Sequence, residues 1–464
     1  MKATSLLLTL SVLLVGACEF DIANPNSPDP LGNDPSRAQI AVAATGILIG
    51  SRAYYADFVL DVGIIGREAY RFDGSDPRFI SELLEAPNMD PGSIAFGGDH
   101  WFEPYRNIRT ANNLLNVIGT ATLLSAAEQN ATRGFAETIQ ALDFLTVVNA
   151  HTQDSIPVAV NRPLTDPPAP FVSNDSAYRH IVGLLDQALT DLNAGGGAFP
   201  FALSTGFAGF STPATFLRFN RALKARVEVY RGSRASDPAC GAGGAACYTA
   251  ALAALSASFI DTLAPFDLAE GVYHAYSTGP GDLANPIFQN PQTGENLVHP
   301  FLRDSAETKP GGGLDNRFTA KTVSRPTSST GTPPLSSNLG WIRYSSPSAP
   351  IPIIRNEELI LLRAEANNAL GNAAAARDDI NFIRVRSGGL AARTDLLTIT
   401  QAQRLGEILK QRLYSLLYEG GHRWIDMRRT GRLSQIRIDR PGTDRSPPHP
   451  TYPIPSDERL ARLP

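Results

Sequence analysis

Trp101-Phe-Glu-Pro104-Tyr105-Arg-Asn-Ile108-Arg-Thr-Ala-Asn112-Asn-Leu-Leu115 decides the fold class of this chain. Trp101, Tyr105, Ile108, Asn112 and Leu115 recur at spacings of 4, 3, 4 and 3. That rhythm puts all five on one face of an α-helix, the face to be buried. Pro104 suits only a first turn, where its missing N–H has no intrahelical partner to lose. The helix is therefore expected to begin near Trp101.

The same period recurs outward in both directions. Ser125-Ala-Ala-Glu128 reads as a capping box, and the helix behind it buries Ala131, Thr138, Leu142, Leu145 and Val148. Tyr178, Ile181, Leu185, Ala188 and Leu192 form a third stripe. Thr212-Pro213 gives an N-cap with proline at the first helical position, ahead of Phe216, Phe219, Leu223, Val227 and Tyr230, and Gly232 ends the run. Tyr248, Leu252, Leu255 and Phe259 indicate a fifth helix. Further on come Leu359, Leu362, Ala366 and Leu370, then Ala376, Ile380 and Ile383, stopped at Gly388-Gly389. A last helix is capped by Thr400 with Gln403 and buries Leu405, Leu409, Leu413 and Leu416. Successive amphipathic helices on short turns read as a mainly α, stacked helix-hairpin array. Strand signals are few, short and proline-interrupted: Ile156-Pro-Val-Ala-Val160 and Ile351-Pro-Ile-Ile354.

Two stretches break the helical rule. Residues 263–355 are rich in Pro, Gly, Ser, Thr and Asn without a sustained period, yet carry Tyr273, Tyr276, Phe288, Phe301, Phe318, Trp341 and Tyr344. Disordered segments are poor in aromatics, so this stretch reads as ordered irregular structure and candidate binding surface. Residues 61–99 form a smaller irregular patch with Arg67, Tyr70, Arg71, Phe72, Phe79 and Phe96.

The N-terminus speaks for export. Lys2 precedes an apolar run, Leu6–Val15, too short to span a bilayer, and Val15-Gly16-Ala17-Cys18 has the form of a lipobox. Residues 1–17 read as a signal peptide, Cys18 as the lipidated first residue, and 18–35 as a Pro/Asn-rich tether to a single helical domain over 36–464. The alternative is an ordinary signal peptide with an incidental cysteine. Cys240 and Cys247 flank a flexible Gly/Ala loop, which in an oxidising compartment reads as a local disulfide worth roughly 2–3 kcal/mol. Two free thiols or half a metal site are the alternatives.

Composition excludes several classes. With 43% hydrophobic and 19% charged residues and a net charge of −4, there is no basic excess for nucleic acid. Zincin, serine-hydrolase and phosphate-loop motifs are missing, and no cysteines cluster at metal spacing, so no cofactor and no metal are expected. The charged cluster Glu419, Arg423, Asp426, Arg428, Arg429 and Arg432 reads either as an anion site or as ties between the last helices.

Ordered blocks along nearly the whole chain resemble the SusD/RagB family of nutrient-binding lipoproteins. They include Trp101-x3-Tyr105-x2-Ile108, Phe135-Ala-Glu137 through Leu142-x-Phe144 to Ile156-Pro157, and Arg226-Val-x-Val-Tyr230. Then come Arg355-x2-Glu358 through Ala364-Glu365-Ala366, Ile380-Asn381-x2-Arg384-x-Arg386, Glu419-Gly420 before His422-Arg423-Trp424, and Tyr452-Pro-Ile-Pro455. Two positions depart from the family pattern: an extra Gly421, and Ser415 where Glu is expected. The resemblance implies tetratricopeptide-like helix pairs with long irregular loops and a few short strands supplying the ligand face.

It also implies a non-catalytic receptor, lipid-anchored in the outer membrane and facing the cell exterior. Such a receptor hands oligosaccharides or peptides to a SusC-like TonB-dependent barrel. The competing class is an exported glycoside or peptide hydrolase on a helical scaffold. The matched blocks are scaffold and transfer no ligand residues, so the site is sought by loop position and side-chain chemistry. Trp341, Tyr344, Tyr273 and Tyr276 are expected as stacking platforms, with Arg71, Phe72 and Asp73 beside them. The competing reading is that each aromatic anchors its own loop.

Overall fold

The computed structural model describes residues 31–86, 89–152, 156–163, 165–234 and 236–462. The expected signal peptide, Cys18 and most of the expected tether lie outside them. The principal helices are α1 (Arg37–Ala53), α2 (Tyr55–Ile65), α3 (Asp99–Val117), α4 (Ala126–Ala150), α5 (Asn174–Asn193) and α6 (Pro213–Gly232). They continue with α7 (Ala245–Ser256), α8 (Asn356–Ala369), α9 (Ala373–Arg386), α10 (Gln401–Ser415) and α11 (His422–Arg429). The capping boxes at Ser125 and Thr400 form as their sequences dictate, and Thr212 caps α6 ahead of Pro213. From α3 to α7 each helix packs on the next, and α8 lies against α6 and α7 before continuing to α9 and α10. The tetratricopeptide-like array is thus continuous in space although residues 257–355 leave it and return. Among the described residues no helix is long and apolar enough to cross a membrane.

Helix α3 begins at Asp99, two residues before Trp101, so Pro104 falls in its second turn rather than its first. The extra glycine has a structural reason. Gly421 is the left-handed N-cap of α11 (φ 66°), and a Cβ there would lie 2.1 Å from Val62 Cγ2. Ser415, the other departure, accepts from Arg317 at 3.1 Å and donates to Glu357 at 2.6 Å. Cys240 and Cys247 are bonded, with Cα atoms 4.9 Å apart.

The expectation of irregular chain over 263–355 needs correcting. The strands are β1 (Ala69–Arg71), β2 (Ile156–Pro157), β3 (Phe171–Val172), β4 (Gly271–His274), β5 (Asn296–Val298), β6 (Thr322–Thr330), β7 (Ser336–Trp341) and β8 (Ile351–Arg355). Five of them lie in the supposedly irregular stretch. Strands β1, β5, β7 and β6 form an antiparallel sheet in that order, and β4 pairs with β8. Strand β6 was hidden by its polar sequence and by Pro326, which falls where the β6–β7 register shifts between Ser324 and Ser329. The 61–99 patch is likewise more regular, since residues 61–65 complete α2. Its strand β1 pairs Tyr70 with Leu297 and Arg71 with Asn296, so one sheet joins the two patches.

Candidate ligand-binding site

Strand β4, the segment leaving β7 and the start of α8 enclose an open cavity of about 660 Å³. That is within the ~300–1,000 Å³ usual for ligand pockets. Tyr273 and Arg343 stand on its walls, Ser345, Ser346 and Ser348 on its rim, and Glu419 with Arg355 and Glu357 at its base.

Glu419 is the hub of that base. Arg355 Nε donates to it at 2.8 Å, Arg343 Nε at 3.1 Å, and Lys321 Nζ lies 3.0 Å away. Burial alone would raise its pKa, but Arg355, Lys321 and Arg343 together hold the carboxylate well below its usual range. Glu357 pairs with Arg355 and accepts from Ser387 at 2.5 Å. Burial opposes its ionisation, but Arg355, Lys321 and Arg317 keep its pKa lowered. Lys321 is pushed down to about 8 by burial, partly offset by Glu419, and it donates to the carbonyls of Tyr414 and Ser415.

Arg343 differs from the other cations of the cavity. Its Nε is fixed on Glu419 and its guanidinium carbon lies 5.1 Å from the Tyr344 ring centroid. Neither terminal nitrogen has a hydrogen-bond partner among the described residues, and the side chain is 20% exposed. Sequence reasoning passed over this residue. Its signal was a lone cation between Trp341 and Tyr344, but only the fold brings Glu419 to its Nε.

The structure separates the four expected platforms. Trp341, Tyr344 and Tyr276 are buried and offer no open ring face, which corrects the expectation for all three. Trp341 stacks on Tyr418, Tyr344 donates to the Tyr418 carbonyl at 2.8 Å, and Tyr276 donates to the Arg52 carbonyl at 3.4 Å. They anchor their loops by burying their rings, and Tyr344 and Tyr276 also satisfy their hydroxyls inward. Tyr273 alone stays half-exposed, its hydroxyl donating to the Ala269 carbonyl. It also lines a second cavity of about 360 Å³, bounded by Leu203, Phe207 and the Arg52–Asp282 ion pair.

Arg71, Phe72 and Asp73 lie together at the β1 edge of the sheet, away from that cavity's lining. Arg71 donates to Asp73 at 2.8 Å and lies 4.5 Å from the Phe79 ring centroid. Phe72 stacks on Tyr70 at 5.2 Å. The charged cluster of the last helices acts as ties: Arg429 grips Glu365 and Asp426, and Arg412 meets Asp426 at 2.6 Å.

Residues 306–443 match the model of the SusD family. The chain shares its fold with a SusD superfamily protein from Bacteroides vulgatus at 16% identity and a TM-score of 0.67, covering 93% of this chain and 98% of that one. B. fragilis NanU is similar at 17% identity and TM-score 0.61, over 95% and 98% of the two chains. A laminarin-binding SusD-like protein is similar at 18% identity and TM-score 0.61, over 91% and 97%. No curated protein sequence matches. The SusD-family match thus lies within residues 306–443, and over nearly its whole length the chain shares the helical fold of these solved structures.

Proposed function

We propose that this protein is a non-catalytic nutrient receptor that binds oligosaccharide in the cavity beside Tyr273. The observation that carries the reading is the cavity's chemistry. One accessible aromatic ring shares the cavity lining with serine hydroxyls and a guanidinium, which suits the apolar faces and the hydroxyl edges of sugars. Both carboxylates at the base are held ionised by arginines, so neither can serve as the general acid that glycoside hydrolysis needs. The similarity of fold to a laminarin-binding SusD-like protein supports a glycan over a peptide.

Arg71, Phe72 and Asp73 form a second, shallower contact at the sheet edge. The receptor is held to the outer membrane through a lipid on Cys18, faces outward, and delivers its ligand to a SusC-like TonB-dependent barrel. The test is calorimetry of the mature protein against a panel including laminari-oligosaccharides, with chromatography of each mixture afterwards. Binding with unchanged ligand supports the receptor. New, shorter products would make it a hydrolase, and binding of peptides alone would move the ligand class.

A further inference from the structure

The cavity holds one more cation than its carboxylates neutralise. Arg317, Lys321, Arg343 and Arg355 face Asp315, Glu357 and Glu419. Hydrogen bonding assigns the excess to one residue. Arg317 is consumed by Asp315, Ser415 and the Gln411 carbonyl, and Arg355 by Glu419, Glu357 and backbone carbonyls. Lys321 spends its donors on two carbonyls and Glu419. Arg343 uses only Nε, leaving the outer fork of a permanently charged guanidinium held in place and open to the cavity.

A fork fixed at its Nε is preorganised for two oxygens of one anionic group, because little rotamer freedom remains to be lost on binding. A neutral ligand filling the cavity would offer that charge hydroxyl acceptors but no countercharge, and so would offset less of its desolvation. We infer that the glycan bound here carries an anionic oxygen pair, a carboxylate or a sulfate ester, received by the terminal nitrogens of Arg343 while Tyr273 takes a ring face. This rests on the receptor reading above and narrows its substrate class. The rim serines can complete the anion's remaining acceptors.

The test uses the mature protein on a glycan array of matched pairs: oligogalacturonate and its methyl ester, and sulfated and desulfated chondroitin oligosaccharides. Neutral glucans and a peptide pool are included. At least one acidic member is expected to bind about tenfold or more tighter than its neutral partner, with the preference shrinking as salt screens the charge. The pair that shows it identifies carboxylate or sulfate. R343Q should abolish the difference, and R343K, which keeps charge without the fork, should restore only part of it. The wild-type comparison decides even if a variant folds poorly. Neutral members binding as well as acidic ones would overturn the inference and leave the receptor standing. Binding of no glycan, or of peptides alone, would overturn both.

Discussion

Trp341 stacks on Tyr418 with ring centroids 4.2 Å apart and planes 10° from parallel. Tyr344 donates to the carbonyl of the same Tyr418, and Arg343, between the two aromatics, bonds the next residue, Glu419. The two rings therefore clamp the exit of β7 onto the turn after α10 and fix the guanidinium between them. In this arrangement the aromatics support the site through Arg343.

Trp341→Ala should consequently destabilise the fold by about 3–5 kcal/mol, as expected for emptying a buried tryptophan site. It should also weaken ligand binding by loosening Arg343. Leu362→Ala, fully buried in α8, should cost about 2–5 kcal/mol while leaving the affinity of the folded fraction unchanged. Chemical denaturation paired with calorimetry separates the two. A Trp341→Ala protein that melts like wild type would mean the stack contributes nothing.

Glu68 gives a pH signature. Burial pushes its carboxyl up to about 8, with Arg423 offsetting only part of the effect. The folded state thus holds this proton more tightly than the unfolded chain, where the group titrates near its ordinary 4.5. Its stabilising contribution is complete below pH 4.5 and is lost as pH rises toward 8. Glu68→Gln, which stays neutral, should gain melting temperature relative to wild type steadily across that window. A difference independent of pH between 4 and 8 would refute the assignment.

Membrane attachment is expected to depend on Cys18. On the proposed lipid anchor, replacing it with Ala should move the protein from the membrane fraction to the soluble one, because two or more acyl chains hold far more strongly than one. Unchanged fractionation together with unchanged mass would remove the lipid from the account.

Helices α3 to α10 were legible because they carry their own evidence: a 3.6-residue stripe, a cap such as Thr400 with Gln403, a stop such as Gly232; α1, α2 and α11 were not read from the sequence. The sheet was not. Strand β6 exposes a polar, proline-bearing sequence, and β1 finds its partner β5 more than two hundred residues away. Aromatics in loops were readable as important, but Trp341 and Tyr273 look alike in sequence, and only the position of Tyr418 makes the first a strut. Arg343 gained its meaning from Glu419, a member of a charged cluster whose sequence suits either an anion site or ties between helices.

The central claim is that oligosaccharide binds against Tyr273. The direct measurement is calorimetric titration of Tyr273→Ala with the tightest oligosaccharide found for wild type. Loss of one stacking contact of hot-spot quality should cost about 2 kcal/mol, a roughly thirtyfold weaker affinity. Melting should shift little, because Tyr273 is only half-buried. That outcome places the ligand in the cavity. An affinity equal to wild type, in a protein that remains folded, would contradict the account and move the search to the β1 edge around Arg71 and Phe72.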